Sequence, residues 1–257
     1  MKGFQVTRLV LCLTLFTGCA TSPQDNRNDV SSDAALEAYT RLGLQYLQAR
    51  DTANARASVQ RALEINNDYA PAYNALGLIF QFEDETQLAE QYYKDAIRLD
   101  RDSAMFHNNY GAFLYAQKRY REACNELEKA TSDPFYTGRG RAFENLGRCY
   151  NQIGENVKAL DAFERSLKTG GRRPYSLVEL AQLYLSVNDL AKAEGYYKEF
   201  ERLVDDKRID HSAKSLWVGI QLSRANSDTS KSVTYALLLK NLYPDSQEYQ
   251  LYKESTR

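Results

Sequence analysis

The chain has 257 residues, 43% of them hydrophobic, with 33 basic against 34 acidic side chains and a formal net charge of −1. That balance lacks the basic excess of a nucleic-acid-binding surface, while 19 tyrosines, 10 phenylalanines and only five prolines supply material for a continuous core. Two histidines and four cysteines, with no HExxH, paired CxxC, P-loop or GxSxG spacing, lead us to expect no enzyme, no cofactor, no metal and no small-molecule substrate.

In chain order, the first element precedes the fold. Lys2 and Arg8 make a positive start and Leu9–Phe16 an apolar run of signal-peptide length, too short to span a bilayer. The following Phe16-Thr17-Gly18-Cys19 resembles the bacterial lipoprotein box, with Phe where Leu is commonest. The resemblance implies a signal peptide over 1–18, cleavage before Cys19, diacylglycerol on its thiol and an acyl chain such as palmitate on its new amino group. Ala20 in place of Asp implies sorting to the periplasmic face of the outer membrane in a diderm bacterium. Several acyl chains on one residue suffice for a stable membrane anchor. The alternative is an ordinary signal peptide cleaved elsewhere. Residues 19–33 then read as the acylated cysteine and a flexible tether, because TSPQDNRNDVSSD is polar and poor in large apolar residues.

From residue 34 to 257 one spacing governs. Gly43, Gly77, Gly111, Gly147 and Ala181 stand 34, 34, 36 and 34 residues apart. Each follows a large residue (Leu42, Leu76, Tyr110, Leu146, Leu180), and an alanine comes twelve positions later at Ala55, Ala89, Ala123, Ala159 and Ala193. This is the pattern of the tetratricopeptide repeat. The expected fold is all-α, a right-handed α-solenoid of about six helix–turn–helix units near 36–69, 70–103, 104–137, 140–173, 174–207 and 212–243, with a C-terminal capping helix after them. The small residues mark helix contacts, and the recurring aromatics around them read as core. His107 takes an aromatic position and is expected to be packed and hydrogen-bonded. The charged connection Asp205–Asp210 reads as a solvated loop, with His211 on it. In the sixth unit, around Trp217 and Gly219, the small-residue register slips, as it does in terminal repeats with one face toward water.

Two cysteines remain in the folded part. Cys124 falls on the second helix of unit three and Cys149 on the first helix of unit four, neighbours in such a stack. A disulfide is geometrically plausible and an exported protein permits it; two unrelated buried thiols are the other reading. The first helices line the concave side, so their inward positions form the expected partner groove. Leu44, Leu47, Leu78 and Phe82 make its first half apolar; Asn108, Ala112, Tyr115, Glu144, Arg148 and Asn151 make its second half polar. An exposed apolar groove receives an amphipathic helix or an extended peptide. Asn74 and Asn108 recur at one position, without the lysine series of a carboxylate clamp. Arg165, Lys168, Arg172 and Arg173 surround a Gly-Gly turn and read as a helix C-terminus complementing its dipole.

The stretches HNNYGAFLYAQKRYREAC (107–124), DPFYTGRGRAFENLGRC (133–149) and LLLKNLYPDSQEYQLY (237–252), with the lipoprotein box and six units, resemble the PilF/PilW family of type IV pilus biogenesis and stability lipoproteins. The resemblance implies an outer-membrane pilotin, anchored through Cys19, that binds the pilus secretin and promotes its localisation and multimerisation. The Cys124/Cys149 pair resembles a pair found in part of that family. The alternative function is a periplasmic lipoprotein adaptor for cell-wall enzymes or outer-membrane protein assembly.

Overall fold

The structure, a computed structural model, describes residues 25–256. The expected signal segment, Cys19 and the first part of the expected tether lie outside the described residues. Among those described there are thirteen α-helices and no strand. They run α1 Asp25–Gln48, α2 Thr52–Ile65, α3 Ala70–Phe82, α4 Thr86–Leu99, α5 Ala104–Ala116, α6 Tyr120–Ser132, α7 Arg139–Gln152, α8 Asn156–Lys168, α9 Pro174–Ser186, α10 Leu190–Asp205, α11 Ala213–Ala225, α12 Thr229–Leu242 and α13 Gln247–Glu254. Six antiparallel pairs follow one another, and α13 packs on α11 and α12 as the cap. One boundary differs from expectation: α1 begins at Asp25, inside the segment read as a tether. Between Pro23 and Gly43 there is no proline or glycine, so nothing stops the helix that Leu36 anchors in the core from running back toward the N-terminus.

Five of the six pairs are held where a glycine on the first helix meets a large side chain sixteen positions later on the second; unit five has Ala181 at that place. A Cβ at Gly77 would lie 2.8 Å from the Tyr93 ring, and one at Gly147 2.6 Å from Phe163. Gly43, Gly111 and Gly219 face Val59, Leu127 and Tyr235 in the same way. The sixth unit therefore keeps this contact. Only its small residue moves, from the expected place at Lys231, which is exposed, to the buried Ser232.

The turn within each pair also repeats. Arg50, Asp84, Lys118, Gly154, Asn188 and Ser227 adopt φ between 60° and 79°. The next N–H in each case bonds back to the carbonyl of Tyr46, Phe80, Leu114, Tyr150, Tyr184 or Ser223. These are left-handed helix C-caps, five of the six built without glycine. The cost of that backbone, roughly 1–2 kcal/mol per residue, is offset by capped carbonyls and a fixed direction for the second helix.

Units join through tyrosine hydroxyls that donate to glutamates of the preceding unit. Tyr110 donates to Glu90 at 3.0 Å, Tyr150 to Glu128 at 2.5 Å and Tyr184 to Glu164 at 2.6 Å. Burial first, and then the acceptor carboxylate, raise each hydroxyl above its ordinary pKa, so all three remain donors. Burial alone would also raise Glu90. Hydrogen bonds from Arg119, Lys94 and Tyr110 outweigh it and hold that carboxyl at about 2.

The backbones of successive first helices approach one another along the chain, α1 to α3, α3 to α5, α5 to α7, α7 to α9 and α9 to α11, whereas successive second helices meet only through long side chains, such as Tyr196 with Glu164 and Lys231 with Glu201. The first helices are thus the tighter, inner layer of a curved stack. Cys124 on α6 and Cys149 on α7 are joined as a disulfide across the junction of units three and four, with Cα atoms 5.6 Å apart. Arg173 Nε donates to the Ser166 carbonyl at 3.2 Å near the end of α8, a C-terminal role for that basic cluster. His211 departs from the solvated reading. The connector folds back over units five and six, placing its ring 5.6 Å from those of Phe200 and Tyr235, while its carbonyl accepts the Tyr243 hydroxyl.

Two predictions come from this packing. Replacing both Cys124 and Cys149 by Ala should lower unfolding free energy by about 2–4 kcal/mol in denaturant titration; free thiols in the unreduced, unfolded wild type would contradict the bridge. The second concerns His107, whose Nδ1 lies 2.6 Å from Glu126 and Nε2 2.8 Å from the Arg101 carbonyl. Both ring nitrogens face acceptors, which only the imidazolium satisfies. Burial opposes the charge, but these partners outweigh it and raise the pKa above 6.5. A raised histidine contributes stability that is fully present below its unfolded pKa and lost as pH rises through its folded one. Stability should therefore fall as pH rises from about 6 through neutrality, and His107→Gln should remove that slope in urea titrations across pH.

Candidate functional site

The inner layer divides into two chemically different halves. In the first, Leu44 and Leu47 are half-buried against the core of units one and two, and Leu78 is half-buried against the larger core that follows. Phe82, at the end of α3, is 47% exposed, with the Arg50 guanidinium 6.0 Å from its ring. Leu42 lies outside this groove, on the side that its counterparts turn toward the preceding unit, as Tyr110 does to Glu90. Its counterparts Leu76, Tyr110, Leu146 and Leu180 are buried against a preceding unit, whereas Leu42 is 38% exposed among the described residues. The apolar half of the expected groove is thus present, with Phe82 its most exposed member.

The polar half is arranged differently from the expectation. Asn108 is only 5% exposed and belongs to a chain of side-chain amides along α3, α5 and α7. Asn109 donates to Asn74 at 3.1 Å, Asn108 to Asn109 at 3.3 Å, and Asn145 to Asn108 at 3.1 Å. Buried amides must pair, and here they pair with one another across units. Asn108 is therefore a joint between inner helices and not a free partner-binding group, and the recurring Asn74 is spent in the same way. Tyr115 is half-buried and lies against the Arg148 guanidinium, 5.1 Å from carbon to ring centre; Tyr175 lies on it as well, at 5.0 Å. Farther on, Glu179 is 1% exposed and accepts Lys214 at 2.5 Å and Asn151 at 3.2 Å. Glu144 accepts the Ser176 hydroxyl at 2.8 Å.

Sequence reasoning missed Asn109, Asn145, Tyr175, Glu179 and Lys214. The recurrence of Asn109 and Asn145 at one repeat position was available as a signal. Contacts between fifth- and sixth-unit side chains were not, because the connector between those units has no fixed length in the repeat. Among the described residues no group of three or more His, Cys, Asp or Glu could hold a metal ion, and no helix is long and apolar enough to cross a membrane. What the inner face offers is a shaped surface for another chain.

The amide chain generates a stability prediction. Asn108→Leu takes the donor from the Asn109 side-chain carbonyl and the acceptor from the Asn145 amide, and should cost about 1–3 kcal/mol in thermal or denaturant unfolding; an unchanged midpoint would remove Asn108 from the joint.

The tetratricopeptide repeat family matches residues 36–69 and 70–103, the first two units. Type IV pilus assembly protein PilF of Pseudomonas aeruginosa is 39% identical over 236 residues, which cover 91% of this chain and 92% of that protein. A solved structure of Pseudomonas aeruginosa PilF superposes with a TM-score of 0.81 at 38% identity, covering 88% of this chain and 99% of the other. The crystal structure of PilW, described as a widely conserved type IV pilus biogenesis factor, superposes with a TM-score of 0.70 at 27% identity, covering 84% and 97%. Identity at this level along nearly the whole of both chains, on one stack of repeats, makes this chain a member of the PilF/PilW family of tetratricopeptide-repeat proteins of type IV pilus biogenesis.

Proposed function

We propose that this protein is an outer-membrane lipoprotein, a pilotin, that binds the type IV pilus secretin through the apolar first half of its inner face and promotes secretin localisation and multimerisation. The observation that carries the reading is the end-to-end similarity to a type IV pilus assembly protein. The lipoprotein-like Cys19 segment supports the membrane address on the periplasmic side. The accessible apolar side chains of Leu44, Leu47, Leu78 and Phe82 support the mode of binding. The repeat scaffold is a non-catalytic interaction fold, so the mechanism is positional. An acyl anchor keeps a binding surface at the membrane where subunits meet, raising their effective concentration there.

Among the groove residues, Phe82 is the sharper test. Leu78 packs on the core, so its replacement perturbs folding as well as the surface. Losing the burial of one aromatic side chain, about 1.5–3 kcal/mol, should weaken binding about tenfold or more in Phe82→Glu. Cross-linked capture of tagged protein from its own envelope, followed by mass spectrometry, should return secretin as the dominant partner. That recovery should fall with Phe82→Glu at an unchanged melting temperature, and Cys19→Ser should leave the membrane fraction. Cell-wall enzymes or barrel-assembly components without secretin would move the function to the adaptor reading.

A further inference from the structure

We propose that the inner face of units four to six is a second peptide-binding site. In it, Arg148 pairs an aspartate or glutamate side chain within an extended segment, and an adjacent cavity takes a neighbouring aliphatic side chain. The site is separate in sequence and chemistry from the apolar groove of units one and two.

Arg148 is the centre of this site. A guanidinium projects its five N–H donors in its own plane, and here Tyr115 and Tyr175 both lie against it. Its Nε is shielded from solvent and has no hydrogen-bond acceptor. No carboxylate of the protein makes an ion pair with it among the described residues, although two lie nearby in the fold. Glu144, one turn earlier on α7, accepts the Ser176 hydroxyl, and Glu179 holds Lys214 and Asn151. A small hollow of about 40 Å³ opens beside it, lined by Ala112, Tyr115, Asn145 and Arg148. A cation flanked by two rings, without an ion pair among the described residues and with space beside it, is placed to receive a carboxylate in its plane at the Nη donors, the shielded Nε being out of reach. Tyrosine faces add to the attraction for the cation and hold it in place without neutralising it.

Tyr175 connects this position to a second one. It also lines a cavity of about 220 Å³ between units five and six, with Pro174, Val178, Phe200 and Ile209. Glu179, Asp210 and Lys214 border that cavity, and because Glu179 already holds Lys214, a second acidic side chain would meet Asp210 without a free cation and an aliphatic one is favoured. On the other side of Arg148 the half-exposed Ala112 and Asn145 line the small hollow and continue the inner layer. A bound segment thus has contacts before and after the carboxylate. This is the requirement for a side chain within a segment, as opposed to the end of a chain.

The test is selection of short random peptides, displayed inside a loop of a carrier domain so that neither end is free, on the full mature protein. Expected is enrichment of Asp or Glu within two positions of Leu, Ile, Val or Met. Arg148→Gln should reduce the acidic preference about tenfold, the value of one lost charge-assisted pair. Ile209→Glu should abolish the aliphatic preference, and Phe82→Glu should leave both intact, which separates this site from the secretin reading. If Arg148→Gln melts early, Arg148→Lys replaces it, since lysine keeps the charge and loses the planar fork. Absence of an acidic preference, or one that survives both Arg148 variants, overturns the proposal. Enrichment seen only in a library with free C-termini also overturns it, assigning the position to a terminal carboxylate.

Discussion

The close approach of a glycine to a large side chain sixteen residues later decides the geometry of this molecule. At Gly77 and Gly147 the facing ring occupies space that even a methyl group would contest, so the two helices of a pair lie as near as their backbones allow. That closeness sets the tilt of each pair and the surface it presents to the next. The sixth unit shows which part of the pattern is indispensable: it lets its small residue drift by one place and retains the Gly219–Tyr235 contact. Packing at one crossing constrains more than the identity of the flanking residues does.

Between units the forces are of another kind. The tyrosine–glutamate bonds, the amide chain of Asn74, Asn109, Asn108 and Asn145, and the Cys124–Cys149 bridge all cross unit boundaries. In a solenoid each unit touches only its neighbours, so stability resides in such interfaces as much as in the units. Polar joints also fix register, since a buried amide or hydroxyl displaced by one helical step loses its partner. The first unit is the exception. Its buried residues form a cluster with unit two that is separate from the main core, and among the described residues nothing covers Leu42.

That asymmetry has a functional meaning. The end of the stack with an uncovered apolar surface lies nearest in sequence to the expected lipid anchor, while the far end carries a tyrosine-held cation and an apolar cavity. One continuous inner layer thus presents two chemistries, one suited to amphipathic contact and the other to a charged extended segment. Both rest on the same first helices, whose rigidity comes from the pair contacts behind them.

The sequence alone determined the fold class and the pairing helices, because a period of 34 carried by small residues has one physical meaning: two helices must touch at that place. It also brought Cys124 and Cys149 onto facing helices, and it placed Leu44, Leu47, Leu78 and Phe82 on one face by helical periodicity. Tertiary structure decided which of those side chains are free. Asn108 and Tyr115 were legible as inward positions, yet the first is consumed by neighbouring amides and the second by Arg148. The run of α1 back to Asp25 and the folding of His211 against Phe200 likewise depend on packing that no local pattern records. Periodicity reports which way a side chain points; only the assembled neighbours determine whether it meets a partner within the protein or is left for one outside it.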